Sequence, residues 1–338
     1  MAAKGGELRT TGDVLLWWLE RVESDRASSD SYKRSTRSMV RKNILPALGK
    51  VSVAKLDRRA LDDKLVWPMV QDGKKAGTQQ KAFQALRQAF LLAEKTGRIK
   101  ANPMASLTFK SFHRGAIGSK AARLSRVDLP GLVQQLAANF NRDPVNGLLP
   151  LLMLAHGTRI GETLQAQWSH ISLVERVWVL PELNCKSRRQ HILPLTPQVL
   201  ALLARYRQAL PDARAQIDWV FPVRGGARLS PTTASAMFRS VSGGKWSSHD
   251  LRKLMRDCLA DLGVDFFIGE RLINHSLGKV SETYLTRDVM ERCREALERW
   301  HARLDECGFS LAHGLDMAAP ASSPNPETPE PTGAAAIS

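Results

Sequence analysis

Residues 109–126, FKSFHRGAIGSKAARLSR, split this chain into two halves that must bury their cores separately. The stretch holds basic side chains, two glycines, no acidic residue and no sustained apolar period. That composition suits an exposed basic linker able to lie along phosphates.

The half before it reads as all-helical. Residues 1–12 are small and polar and are expected to be loose. From Asp13 the run VLLWWLERV has helical spacing. The segment SYKRSTRSMVRKNILPALGK follows, with Lys33, Arg34, Arg37, Arg41 and Lys42 recurring at three- and four-residue steps, so several share a helix face. Pro46 and Gly49 are expected to end that helix. A shorter apolar piece, ALDDKLVWPMV, comes next. Thr78 is a suitable N-cap for a long helix from Gln79 to about Lys95, with Phe83, Leu86, Phe90 and Ala93 as its apolar stripe. Gly97 stops it, and Asn102-Pro103 prevents its resumption. A small all-helical domain with one basic helix is therefore predicted over 13–108.

The half after the linker, 127–306, reads as mainly helical with one β interruption. LLPLLMLA is an apolar helix; VWVL (177–180) and HILPL (191–195) are strand-like; NCKSRRQ between them is a basic hairpin tip. The fold class expected is mainly α with a small β-sheet (α+β). The helix ERCREALERWHARL turns Ala296, Leu297 and Trp300 to one side, a face available to its own domain or to a neighbouring copy of the chain. The stretch after Met317 has five prolines and no aromatic residue and is expected to be a disordered tail (317–338), dispensable for chemistry.

Charge narrows the function. Lys and Arg number 49 against 33 Asp and Glu, a formal net charge of +16, the electrostatic footprint of a polyanion binder. Cys185, Cys258, Cys293 and Cys307 form no Cys-x-x-Cys pair, so neither a zinc module nor a redox motif is visible. No signal peptide and no membrane-spanning run is seen, which points to the cytoplasm and the nucleoid.

The second half carries residues suited to phosphodiester chemistry. A phosphate needs its oxygens held as charge develops, and Arg does this with planar paired donors; Arg159 and Arg252 are the candidates. A nucleophile is needed, and Tyr284 can serve, though it is weak while protonated at a pKa of about 10. The leaving oxygen needs a proton, for which Lys or His is suited; Lys186, His249 and His275 qualify. Singly, each has an ordinary explanation: an Arg159–Glu162 helix salt bridge, a histidine in a cap or core, a packed tyrosine, a solvated hairpin tip. Their order and spacing carry the case.

Those residues resemble the tyrosine recombinase (phage integrase) family. HGTRIGETLQAQWSHI is similar to the family's first Arg box, HDLRK to its His-x-x-Arg box, and LINHS followed by Tyr284 nine positions after His275 to its His…Tyr ending. NCKSRRQHILPL is similar to its Thr-Lys…Val-Pro-Leu segment, with Lys186 eight residues before Pro194. Arg159, Lys186, His249, Arg252, His275 and Tyr284 match in chain order. Lys253 stands where the family often has His or Arg, and keeps the charge. More weakly, the basic helix and the long helix ending before Asn-Pro resemble the family's core-binding domain. No further arm-binding domain is expected ahead of it.

The resemblance implies a core-binding and a catalytic domain forming a clamp on DNA. It implies attack by Tyr284 to give a 3′-phosphotyrosyl link and a free 5′-hydroxyl. Arg159, Arg252 and His275 would stabilise the transition state, Lys186 would be the acid, and His249 would assist proton transfer from Tyr284. Glu162 would support the site. No metal and no other cofactor is implied. The expected partners are double-stranded DNA with inverted half-sites and three further copies of the chain, a homo-tetramer on synapsed DNA, with DNA-bending accessory factors allowed for. Lys33, Arg34, Arg37, Arg41, Lys42, Lys81, Arg87, Arg188 and Arg189 are the DNA-binding candidates. The rival readings are a type IB topoisomerase, a catalytically silent DNA-binding regulator, and a metal hydrolase using His249 and His275, whose spacing fits no metal-ligand motif.

Overall fold

The structure, a computed structural model, describes residues 7–113, 115, 117–118, 121–275 and 287–315. The chain divides into two compact units, Met1–Lys120 and Ala121–Ser338. Tyr284 and the proline-rich tail lie outside the described residues, and so do the expectations placed on them.

In the first unit α1 (Thr11–Ser24) starts where a capping box closes it: Thr10 Oγ1 accepts from the Asp13 N–H at 3.1 Å, and Asp13 Oδ2 accepts from the Thr10 N–H at 2.9 Å. Order begins before residue 13. Leu8 is buried and its N–H donates to Arg98 O, and the Val53 N–H donates to Arg9 O. Polar composition hid this, because main-chain hydrogen bonds hold the segment and one leucine anchors it.

The basic helix α2 (Asp30–Met39) does not stop at Pro46. It passes through a π-turn, Val40–Ile44, in which the Leu45 N–H reaches back five residues to Val40 O, and continues as α3 (Leu45–Leu48). Proline breaks a helix by removing a donor and crowding the carbonyl four residues back. A wider turn just before it relieves both. The same device recurs: α4 (Arg58–Leu61) leads into a π-turn, Asp62–Val66, and then α5 (Trp67–Gln71) carries Pro68. The long helix α6 spans Ala76–Lys95, three residues more at its start than Thr78 suggested. Lys75 is the extended residue, Lys75 O accepts from the Thr78 N–H at 2.7 Å, and Thr78 already lies in the first turn. The expected stripe is present, with Phe83, Leu86, Phe90 and Ala93 all buried against α1.

The second unit is built around α8 (Pro144–His156), buried on every side from Gly147 to His156, as an all-apolar helix must be. Helices α7 (Leu129–Arg142), α10 (Pro197–Ala209), α13 (Ser248–Asp261) and α15 (Arg287–Glu306) pack on it. Helices α9 (Ile160–Thr163), α11 (Asp212–Ala215), α12 (Pro231–Ser242), α14 (Phe266–Leu272) and α16 (Ser310–His313) also belong to the unit. Gly147 lets α7 and α8 approach, since a Cβ there would sit 2.4 Å from Phe140 Cα.

Both expected strands form, β2 (Val177–Leu180) and β3 (His191–Pro194), together with a two-residue β1 (Ile171–Ser172) too short to show in a pattern. The antiparallel order is β1-β2-β3, with Leu180 opposite His191. Trp178 and Leu180 alternate inward. The fold is thus mainly helical with one small antiparallel sheet.

Buried histidines tie these layers. His301 Nε2 donates to Ala155 O at 3.0 Å while its Nδ1 accepts from Thr196 Oγ1 at 2.7 Å. His156 Nε2 donates to Pro194 O at 3.1 Å. Burial lowers their pKa values to about 3 and about 4, so both are neutral structural groups.

The apolar face of α15 turns inward. Ala296, Leu297 and Trp300 are buried, and Trp300 Nε1 donates to Leu154 O at 3.2 Å. Truncating a buried ring of this size typically costs on the order of 3–5 kcal/mol, and in the single chain this face packs into the unit's own core. Packing also continues past residue 306: Phe309 is wholly buried, and α16 packs against α7 and α10.

Candidate active site

The site grows from the end of α8. Gly157 caps that helix in the left-handed conformation, at φ 59°, and a Cβ there would meet Met255 Sδ at 2.7 Å. The chain is thereby turned so that Arg159 stands in extended conformation just before α9. Glu162, itself buried, accepts from the Arg159 N–H at 3.2 Å through one oxygen and from Nη1 at 2.9 Å through the other. Arg159 Nη1 also donates to Asn274 O at 3.1 Å. The Arg159–Glu162 pair is therefore the expected helix salt bridge and also a device that fixes the guanidinium, which stays 27% exposed.

Arg252 enters from α13 and is 2% exposed. Its Nη1 donates to Gly157 O at 2.7 Å, two residues from Arg159. Its Nη2 is buried with no partner among the described residues. Burial and then the positive charge of Arg159 lower its pKa from 12.5 to about 10, so it remains charged at neutral pH. Two neighbouring guanidiniums, one with a buried donor that no described residue uses, are suited to hold an anion.

His249 stands one turn before Arg252. Burial, then Lys253 and Arg252, push its pKa down, so the imidazole is neutral at neutral pH and able to accept a proton. His275 follows Asn274, whose carbonyl accepts from Arg159. Its Nδ1 meets Glu270 Oε2 at 2.6 Å, and Glu270 Oε1 accepts from Arg256 Nε at 2.6 Å. The carboxylate fixes the ring so that Nε2 is the nitrogen left for other work.

Lys186 is on the connection between β2 and β3 and is exposed. Its neighbour Ser187 donates from Oγ to Asn274 Oδ1 at 3.3 Å, which brings the hairpin tip to the same cluster. Arg188 and Arg189 share that tip; Arg188 has φ 55°. The second unit thus brings together Arg159, Lys186, His249, Arg252 and His275. Sequence reasoning missed Glu270, Asn274 and His191. His191 is 3% exposed and donates from Nε2 to Leu272 O at 3.3 Å, fastening β3 to α14. Asn274 had a signal: Asn, next to Gly, is the residue that tolerates positive φ, and it stands at φ 53°.

The other cations sit in the first unit. Lys33, Arg34 and Arg37 are on α2, Arg41 and Lys42 in its π-turn, and Lys81 and Arg87 on α6. All are exposed except the half-buried Lys33. Both oxygens of Glu23 bind Arg37, through its Nε at 2.8 Å and its Nη2. Among the described residues no group of three or more His, Cys, Asp and Glu is placed to hold a metal, and no helix is long and apolar enough to cross a membrane.

Residues 126–290 match the Phage integrase family. Prophage integrase IntA of Escherichia coli strain K12 is 27% identical over 290 residues, which cover 84% of this chain and 67% of that relative. In architecture the chain is similar to the Tn1549 transposon integrase in complex with circular intermediate DNA (TM-score 0.60, 13% identity, 85% of this chain and 99% of the other). It is also similar to a lambda integrase tetramer bound to a Holliday junction (TM-score 0.59, 17% identity, 79% and 75%).

Proposed function

We propose that this chain, a tyrosine recombinase of the phage integrase family, cuts and rejoins DNA at specific sites to integrate or excise a mobile element. The observation that carries the reading is the buried Arg252, its free donor set beside Arg159, with a neutral histidine and a carboxylate-held histidine around them.

The chemistry follows from what each group can do. The scissile phosphate sits against Arg159 and Arg252, whose donors meet the charge that develops on its non-bridging oxygens. With both ring nitrogens protonated, Nδ1–H on Glu270, His275 adds a third donor through Nε2. Tyr284 attacks phosphorus through its phenolic oxygen and passes its proton to His249. The bond to the 5′-oxygen breaks, and Lys186 protonates that oxygen as it leaves. One phosphoester replaces another, so no energy source is needed, and the reverse reaction joins a new 5′-hydroxyl. The chain holds three tyrosines. Tyr206 is buried, its hydroxyl donates to Val220 O at 2.5 Å, and burial pushes its pKa up, so it is unsuited to attack. Tyr32 lies on α2 in the first unit, bonded to Gln88.

The partners in this reading are double-stranded DNA with inverted half-sites and further copies of the chain, four on two synapsed sites. Two duplexes bearing the attachment site, differently labelled and incubated with the protein in EDTA without ATP, are expected to yield products joining the two labels. Relaxation of supercoiled DNA with no joining would make the chain a topoisomerase instead. Binding without either would make it a silent regulator.

The exposed cations of α2 and its π-turn would track phosphates. Replacing Arg34 and Arg41 by Ala is expected to flatten the plot of log affinity against log salt by about 1.8, or about 0.9 for each phosphate contact. Arg37, already held by Glu23, should add less. Fluorescence anisotropy across a salt series measures this; an unchanged slope would mean that these side chains face only water.

A further inference from the structure

Asn274 belongs to no step of the chemistry above, yet it touches more of the site than any residue in it. Its backbone carbonyl accepts from Arg159 Nη1 at 3.1 Å. Its amide nitrogen points to Glu162 Oε1 at 3.4 Å, the oxygen that also holds Arg159. Its amide oxygen accepts from Ser187 Oγ at 3.3 Å. The thiol of Cys185, which donates to Leu180 O at 3.6 Å, has the Asn274 amide near enough to favour its thiolate. Cys185 and Ser187 are the two residues that flank Lys186.

The backbone makes this possible. Asn274 stands at φ 53°, just past the end of α14, and His275 follows it. An extended or helical residue there would send both the carbonyl and the side chain elsewhere. Glycine would accept the same backbone with no side chain to offer. Asparagine alone combines tolerance of this region with an amide that donates and accepts at once.

Lys186 needs such a partner. It is exposed, on a tip between two four-residue strands, and a lysine is a flexible point charge whose position its own stem does not fix. A general acid works only when its proton is held within reach of the leaving oxygen. We propose that Asn274 is a positioning residue for the acid: it holds Ser187, the neighbour of Lys186, and docks the hairpin beside the Arg159–Glu162 pair, so that the acid is set next to an arginine that keeps its own bonds. The inference rests on Lys186 being the acid, and adds what puts it in place.

The test uses a substrate that needs no acid. When sulfur replaces the bridging 5′-oxygen, the leaving group departs unprotonated. The probe is a nicked duplex of the attachment sequence, in oxygen and in sulfur form, with the full chain carrying Asn274→Gly or Ser187→Ala. Asn274→Gly keeps the backbone and the carbonyl to Arg159, and removes the amide that ties Ser187 to Glu162 Oε1; Arg159 keeps its own bonds to Glu162 and to the carbonyl of residue 274. Misplacing a catalytic group by about 1 Å can cost on the order of a hundredfold, so cleavage of the oxygen duplex should fall between roughly tenfold and a hundredfold. The sulfur duplex should be cut at the unaltered rate. A general loosening of the site would slow both duplexes alike. Selective loss in at least one folded variant is the expected result; equal loss on both duplexes, or no loss, overturns the inference. Lys186→Ala runs beside them: if sulfur does not restore its cleavage, the acid assignment itself is wrong.

Discussion

Arg252→Met is expected to lower the rate of DNA cleavage by on the order of a thousandfold, the upper range for removing one preorganised donor from a developing oxyanion. The folding midpoint should stay close to that of the unaltered chain. The two expectations have one cause. Arg252 is a cation at 2% exposure, with one nitrogen bonded to Gly157 O and another buried without a partner among the described residues. Its pKa falls from 12.5 to about 10, chiefly through burial. A cation whose pKa is lower in the folded state than in the unfolded one disfavours folding at every pH where it is charged, here below about 10. Methionine removes that penalty and fills similar volume. Against this stands the lost bond to Gly157 O, which costs about 1–3 kcal/mol. The two effects oppose each other, so stability changes little while the phosphate loses its strongest donor. Single-turnover cleavage and thermal unfolding, measured on the same preparation, check the pair. Cleavage near the unaltered rate would remove Arg252 from the reaction. A collapse of both quantities would make it a structural residue.

Much of this site was legible because local sequence dictates it. An apolar helix, a glycine that must take positive φ and a Glu three residues after an Arg fix the surroundings of Arg159 within one short stretch. The two strands and the stripe of α6 follow from periods of two and of 3.6 in the same way. What could not be read depends on residues far apart in the chain. Glu270 matters because it faces His275 and Arg256 together, and no spacing announces that. Pro46 and Pro68 look like stops, and only the π-turns ahead of them show how the helices continue. The apolar stripe of α15 fits its own core or a neighbour equally well as a pattern. In the single chain it packs inward, with Trp300 donating to Leu154 O.

Tyr284→Phe should remove covalent attachment altogether while binding of the attachment duplex persists. The ring survives and only the nucleophilic oxygen goes, so no other term of the reaction changes. The remaining tyrosines are poor substitutes, because Tyr206 spends its hydroxyl on Val220 O inside the core and Tyr32 lies in the first unit. The loss is therefore expected to be complete, with no residual adduct from a neighbouring phenol. The direct measurement is to trap cleavage on a nicked duplex, digest the protein and identify by mass spectrometry the peptide that carries a 3′-linked nucleotide. The account predicts that this peptide contains Tyr284, joined through its phenolic oxygen, and that the Phe variant yields none. An adduct on any other residue, or one that persists in the Phe variant, would contradict it.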